Sequence, residues 1–221
     1  MIVLPARDKE GQYFLSYAQM STWFSAKGFN TGKPGKQEYI RKYFLKERYE
    51  SGPFAEFGQQ VENYITLRTD AEFFTEEERS VLDTIQPLGN FQTEFKIPFD
   101  GFYVKCVIDD HTTDLAHLRD YKTGSANSAK KYYEPDYDQL DIYALALQQI
   151  SGIIPSLIEV VCVERTGNGF KGGRQVLKVG KEVWYIPRQV TEDKIAILKD
   201  KIIATAEEIS FYYKIFNKLN K

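Results

Sequence analysis

Only two cysteines, Cys106 and Cys162, occur in the 221 residues. That excludes a disulfide framework, and because both lie in apolar β-like runs they read as buried free thiols of a reducing compartment. No apolar run reaches the ~18–20 residues that a membrane span needs. The short one in MIVLPARDKEGQ is too brief for a signal peptide. The expected location is therefore cytoplasmic, with no membrane partner. Histidine is scarce, and His111 and His117 have no second ligand at a zinc-like spacing, so both are read as incidental. Charge of either sign is not in excess: the formal net charge is −2. A polyanionic partner would have to be held by local basic patches rather than drawn in by a global field. Internal repeats are absent. The Gly-rich basic turn at 165–174, RTGNGFKGGR, lacks the GxxxxGK[ST] pattern of a phosphate-cradling loop, although as a basic hairpin tip it could touch a phosphate backbone.

With 43% hydrophobic and 27% charged residues, the composition is that of a soluble globular chain with one sizeable core. Ser16 is placed to cap a helix over 17–26. A Gly/Pro/Lys loop at 27–36 precedes a basic, aromatic helix over 37–49. Lys33, Lys36, Arg41, Lys42, Lys46 and Arg48 are interleaved there with Tyr39, Tyr43 and Phe44, a pattern suited either to tracking phosphates and stacking on bases or to core rings with solvated lysines. Further helices are expected over 54–67 and from the capping box Thr75/Glu78 to about 85. Residues 91–98 alternate as a strand, with Gln92, Glu94 and Lys96 on one face and Phe91, Thr93, Phe95 and Ile97 on the other. A hairpin has arms at 104–109 and 115–122 around a turn at 110–114. A helix from about 136 to 150, a buried strand at 157–164, strands at 175–179 and 182–186, and an amphipathic helix over 191–217 complete the chain.

The chemistry concentrates in CVIDDHTTDLAHLRDYKTG, residues 106–124. Alternation along a strand puts Asp120 and Lys122 on one face and Tyr121 on the other. If the hairpin arms pair, Asp109 comes close to both. Two carboxylates beside an ammonium suit a hard divalent cation, Mg²⁺ or Mn²⁺, bound through oxygen. The lysine can then position water or offset charge on a phosphate. The plain alternative is a strand running into a Gly turn, with acids solvating a hairpin end, and that alternative suits Asp110 and Asp114.

Ile108-Asp109, then Asp120-Tyr121-Lys122-Thr123-Gly124, then Gln139-x-x-x-Tyr143 resembles the PD-(D/E)XK nuclease superfamily, in its RecB-like exonuclease branch. The resemblance covers about residues 16–164. It implies a restriction-endonuclease-like α/β fold, a mixed β-sheet flanked by helices, with an N-terminal helical region (about 16–86), a catalytic core (about 90–187) and a long C-terminal helix (about 191–217) in a single domain. It implies a Mg/Mn-dependent exonuclease acting on DNA in recombination, repair or phage DNA metabolism. Catalysis would fall to Asp109, Asp120 and Lys122. One or two ions would sit on Asp109, Asp120, the carbonyl of Tyr121 and Glu62, the last from the helical motif Gly58-Gln-Gln-Val-Glu62. Gln139 and Tyr143 would contact the DNA backbone. Glu94 stands where the family often has an acid, and Cys106 stands where a glycine is usual. The four-cysteine iron–sulfur cluster of some relatives is not expected on two cysteines. A single-strand-binding or recombination protein is the further partner implied, in a bacterial cell or phage-infected host. Two other classes fit part of the pattern: a silent binding module of the same fold, and a hydrolase of small phosphate esters.

Overall fold

The structure is a computed structural model that describes residues 1–25, 34–48, 50–134, 137–169 and 176–220. Its regular elements are β1 (Phe14–Ser16), α1 (Tyr17–Phe24), α2 (Gly35–Tyr39), α3 (Pro53–Leu67), α4 (Glu76–Leu82), β2 (Asn90–Phe99) and β3 (Phe102–His111). They continue with β4 (His117–Gly124), α5 (Ala126–Ala129), α6 (Gln139–Ser151), β5 (Leu157–Thr166), β6 (Lys178–Pro187) and α7 (Glu192–Leu219). The fold is mixed α/β: a six-stranded mixed sheet in the order β1-β3-β4-β5-β6, with β2 on β3, together with helices and a long C-terminal helix.

The chain groups into two compact units, one of Met1–Glu50, Glu94–Cys106 and Thr191–Lys221, the other of Ser51–Thr93 and Val107–Val190. The long strands β2 and β3 run through both. The helices α3 and α4, expected to belong with the N-terminal helical part, group instead with the strands that carry the motif.

In the first unit, Ser16 caps α1 as expected. Its Oγ accepts Gln19 N–H at 3.3 Å while Gln19 Oε1 accepts Ser16 N–H at 2.7 Å, a reciprocal capping box. The basic helix expected over 37–49 is corrected. It is α helical only to Tyr39, turns as a π-helix over Ile40–Phe44, and has a left-handed residue at Lys46 (φ 58°). Two buried rings explain the change: Tyr39 and Phe44 are five residues apart, and the wider i→i+5 turn brings both onto one face, with centroids 5.9 Å apart. Much of the stretch's basic charge has partners within the unit. Arg41 pairs with Glu47 at 2.8 Å, Lys46 donates to the Pro5 carbonyl at 3.1 Å, and Lys36 pairs with Glu208. Residues 26–33 and Tyr49 lie outside the described residues. In α7 the stripe Ile195, Leu198, Ile202 and Ile209 is buried, as its spacing predicts.

In the second unit, β3 and β4 are antiparallel, with Asp110 opposite Arg119 and His111 opposite Leu118. The hairpin turn is therefore 112–116, not 110–114. Asp114 makes it, its Oδ1 accepting Thr112 Oγ1–H at 2.6 Å and Ala116 N–H at 3.1 Å. β4 and β5 run parallel, His117 against Leu157 through Gly124 against Glu164, and β6 lies antiparallel to β5. The two strands expected at 175–179 and 182–186 are one strand, β6. Its pairing with β5 shifts between Val163 and Arg165, an irregularity that accommodates Gly180 beside the Glu164 carboxylate. The basic turn residues 170–175 lie outside the described residues. Tyr121, Val161, Val163 and Val179 pack against Phe57, Val61 and Ile65 of α3 and against Phe74, Leu82 and Ile85. Each fully buried aliphatic or aromatic side chain here contributes roughly 1.5–3 kcal/mol. The predicted box at α4 is present, and Glu78 also accepts Val179 N–H at 2.8 Å, tying the helix to β6.

Candidate active site

The site lies wholly in the second unit. Asp120 and Lys122 share a face of β4, as strand alternation requires. Their ion pair is 2.6 Å, with Asp120 fully buried and Lys122 partly exposed. Asp109 comes from β3, and its Oδ2 accepts Tyr121 N–H at 2.9 Å. Gln92 of β2 bridges two acids: its Nε2 donates to Glu62 of α3 and lies 3.4 Å from Asp109 Oδ1. The structure thus brings together Glu62, Asp109, Asp120 and Lys122.

Asp109 and Asp110 lie on opposite faces of β3. Asp110 points to the Tyr121 side, fully buried, where its carboxylate accepts Leu88 N–H at 2.7 Å, Gly89 N–H at 3.1 Å and Tyr121 O–H at 2.8 Å. Those three donors satisfy it as a structural acid that fastens the 88–89 loop to the hairpin.

Gln139 and Tyr143, at the start of α6, are tied to Asp120. Gln139 Nε2 donates to Asp120 Oδ1 at 2.8 Å and lies 2.6 Å from the hydroxyl of Tyr143, which is buried. Two residues that the sequence did not single out complete the arrangement. Tyr137 donates to Gln139 Oε1 at 2.8 Å and reaches Asp120 Oδ2 at 3.3 Å. Gln92 is expected on one face of its strand with Glu94 and Lys96, with no role at the site. In the structure it lies on the exposed face with Glu94 and Lys96, has a left-handed backbone (φ 47°), and directs its side-chain amide to Glu62 and Asp109. Such a conformation in a non-glycine residue stores of order 1–3 kcal/mol of strain, a cost that clusters at functional sites. Only the aromatic just ahead of Gln139 in YDQLDIY hinted at Tyr137; nothing hinted at Gln92. The helix start expected near Asp136 falls at Gln139, and Asp136 itself lies outside the described residues.

The electrostatics are those of crowded acids around one cation. Burial raises Asp109 well above the usual carboxylate range, Asp120 and Glu62 push it further, and Lys122 and the Tyr121 N–H pull it back. Glu62 is also raised, first by burial and then by Asp120, against Lys122 and Gln92. Burial disfavours the Lys122 ammonium, but Asp120 and Asp109 outweigh it and hold its pKa above the ordinary lysine value. Lys122 is therefore a cation at neutral pH, and three carboxylates with one ammonium carry a formal charge of −3 + 1 = −2.

Among the described residues no three His, Cys, Asp or Glu side chains are gathered into a group that could hold a metal ion unaided. The donor set fits a hard cation differently. Mg²⁺ commonly takes one or two carboxylates and completes its shell with water and substrate phosphates, and Asp109 and Asp120 are the oxygen donors that would take that part, with Glu62 beside them. Glu94 and Cys106 belong to the first unit. There Glu94 pairs with Lys105 at 2.6 Å, and burial pushes the Cys106 thiol up to about 12. Among the described residues no helix is long and apolar enough to cross a membrane.

No protein-family model and no curated protein matches the sequence. Among solved structures, a chain from Eubacterium rectale described as "Putative exonuclease" shares the fold, with a TM-score of 0.52 and 12% identity over 89% of this chain and 82% of that one. At that identity the likeness is one of fold, extending over most of both chains.

Proposed function

We propose that this chain is a metal-dependent deoxyribonuclease, an exonuclease that hydrolyses phosphodiesters of DNA in recombination or repair. The observation that supports it best is the convergence of Asp109, Asp120 and Lys122, from two paired strands, with Glu62 from α3. The exonuclease description of the structural neighbour agrees with this reading. Bound at Asp109 and Asp120, Mg²⁺ or Mn²⁺ would supply Lewis acidity toward a phosphate and toward water.

The chain's own groups do the rest. Gln139 and Tyr137 fix the Asp120 carboxylate, and the Tyr121 N–H fixes that of Asp109, so neither has to reorganise when substrate arrives. Lys122, protonated at neutral pH, serves as a donor to the negative charge that grows on the phosphate oxygens rather than as a base. We assign Gln139 and Tyr143 to holding Asp120 in place, not to the DNA backbone directly. The test is digestion of end-labelled linear and closed circular DNA with Mg²⁺, Mn²⁺ or EDTA. Metal-dependent loss of linear DNA with circles spared is the expected result. Intact linear DNA under every metal would overturn the reading.

A further inference from the structure

Among the described residues five non-glycine positions have a positive φ. Lys46, Arg68, Asp70 and Leu115 lie in turns or beside helix ends, where such a conformation is ordinary. Gln92, at 47°, is the one that stands inside a strand, β2. Glycine would take that conformation without strain; a longer side chain keeps it only where its surroundings hold it there. What Gln92 meets is a pair of acids. Its Nε2 donates to Glu62 of α3 and lies 3.4 Å from Asp109 Oδ1 of β3, and all three residues belong to the second unit.

The two acids are not equally secure. Asp109 is also held by the Tyr121 N–H at 2.9 Å. Glu62 is repelled by Asp120 and itself repels Asp109, and among the described residues Gln92 is the one donor to its carboxylate. Without that bond a flexible glutamate relieves the repulsion by turning into water. The residue type matters as much as the contact. A primary amide has two N–H donors, one for each carboxylate, and no charge. An ammonium or guanidinium there would cancel part of the negative charge that draws a divalent cation, whereas the amide gathers the acids and leaves that charge in place.

We infer that Gln92 is a positioning residue that yokes Glu62 to Asp109 and makes Glu62 the third carboxylate of the ion site. Among the described residues no three acids form a ligand cluster, so Glu62 acts on the waters that complete the shell of an ion on Asp109 and Asp120. The inference rests on the reading of Asp109 and Asp120 as the cation donors.

The test is Mn²⁺ binding by metal-stripped protein without DNA, with the free ion counted by electron paramagnetic resonance. Only binding that Asp120→Asn removes is compared among wild type, Gln92→Gly, Glu62→Gln and the double variant. Gln92→Gly removes the amide while accepting the left-handed backbone. Melts in EDTA check that it is folded, and Gln92→Leu carries the comparison if it is not. The Kd for Mn²⁺ should rise about 10–100-fold in Gln92→Gly. Because Gln92 acts through Glu62, the double variant should bind no more weakly than the weaker of the two single variants. An unchanged Kd in Gln92→Gly, or single effects that multiply in the double variant, overturns the inference. No such binding in wild type overturns it together with the metal part of the nuclease reading. Digestion of linear DNA by the wild type separates the two ideas. Cleavage with unaltered Mn²⁺ binding in Gln92→Gly removes the positioning role and leaves the nuclease; no cleavage, with binding lost in Gln92→Gly, does the reverse.

Discussion

Replacing Asp109 by Asn should make the protein more stable in EDTA while abolishing its proposed activity. Asp109 is partly buried with two like charges, Asp120 and Glu62, and one opposite charge, Lys122, acting on it. One repulsion is thus uncompensated. At the ~5–7 Å separations typical of shared carboxylate sites, an effective dielectric of ~20 makes one such pair worth about 2–3 kcal/mol. Solvent at its partly exposed edge lowers this, so we expect about 2 kcal/mol, a rise of ~4–8 °C in Tm for a chain of this length. The amide keeps the useful contact, since its Oδ1 can still accept the Tyr121 N–H that Asp109 takes at 2.9 Å. The pH dependence follows from the sign of the shift. Because the folded-state pKa is raised, wild type is penalised at neutral pH, recovers as pH falls through that folded value, and is free of the penalty below the unfolded value of ~3.9. The advantage of the variant should therefore shrink on acidification. Calorimetric melts from neutral pH down to about 4 check this, and an Asp109→Asn melt below wild type at neutral pH would refute the reasoning.

Further outcomes follow from the same contacts. Mg²⁺ should raise the wild-type Tm in proportion to RT ln(1 + [Mg²⁺]/Kd) and leave that of Asp120→Asn nearly unmoved, as read by thermal melts with and without the ion. Gln139→Leu removes the 2.8 Å bond to Asp120 and the 2.6 Å contact with the Tyr143 hydroxyl; kcat should fall about 10–100-fold with the protein still folded by circular dichroism. Arg188→Met leaves Asp141 charged, buried and without its two bonds of 3.0 and 2.7 Å, so urea unfolding should show a loss of about 3–5 kcal/mol, much of it restored by adding Asp141→Leu. The thiols of Cys106 and Cys162, raised by burial to about 12 and about 11, should resist alkylation at pH 8 in the folded protein and react at once in denaturant.

The parts legible in the sequence were those governed by local rules. Period two placed Asp120 and Lys122 together and Tyr121 opposite them, and both capping boxes, Ser16/Gln19 and Thr75/Glu78, formed as short-range hydrogen-bond geometry requires, although only the second was read in full from the sequence. The apolar stripe placed α7 close to its observed limits, and the helix expected over 54–67 is α3, Pro53–Leu67. What escaped depended on partners far along the chain. Asp110 was read as a turn residue because the donors that keep it in the strand come from residues 88, 89 and 121. Gln92 keeps the face that alternation gives it, but its hydrogen bonds to Glu62 and Asp109 reach 30 and 17 positions along the chain and have no sequence signature. The basic helix was drawn too long because a π-turn, set by where two rings are buried, leaves no propensity signal. The Arg188–Asp141 pair, which fastens the start of α6 and with it Gln139, spans 47 positions and has no sequence signature.

The central claim is that Asp120 and Lys122 act in hydrolysis. Single-turnover cleavage of end-labelled linear DNA in Mg²⁺, by wild type, Asp120→Asn and Lys122→Gln with matched melting curves, tests it most directly. The account predicts rapid cleavage by wild type and a loss of at least about a hundredfold in each variant. Cleavage by either variant at the wild-type rate would contradict it.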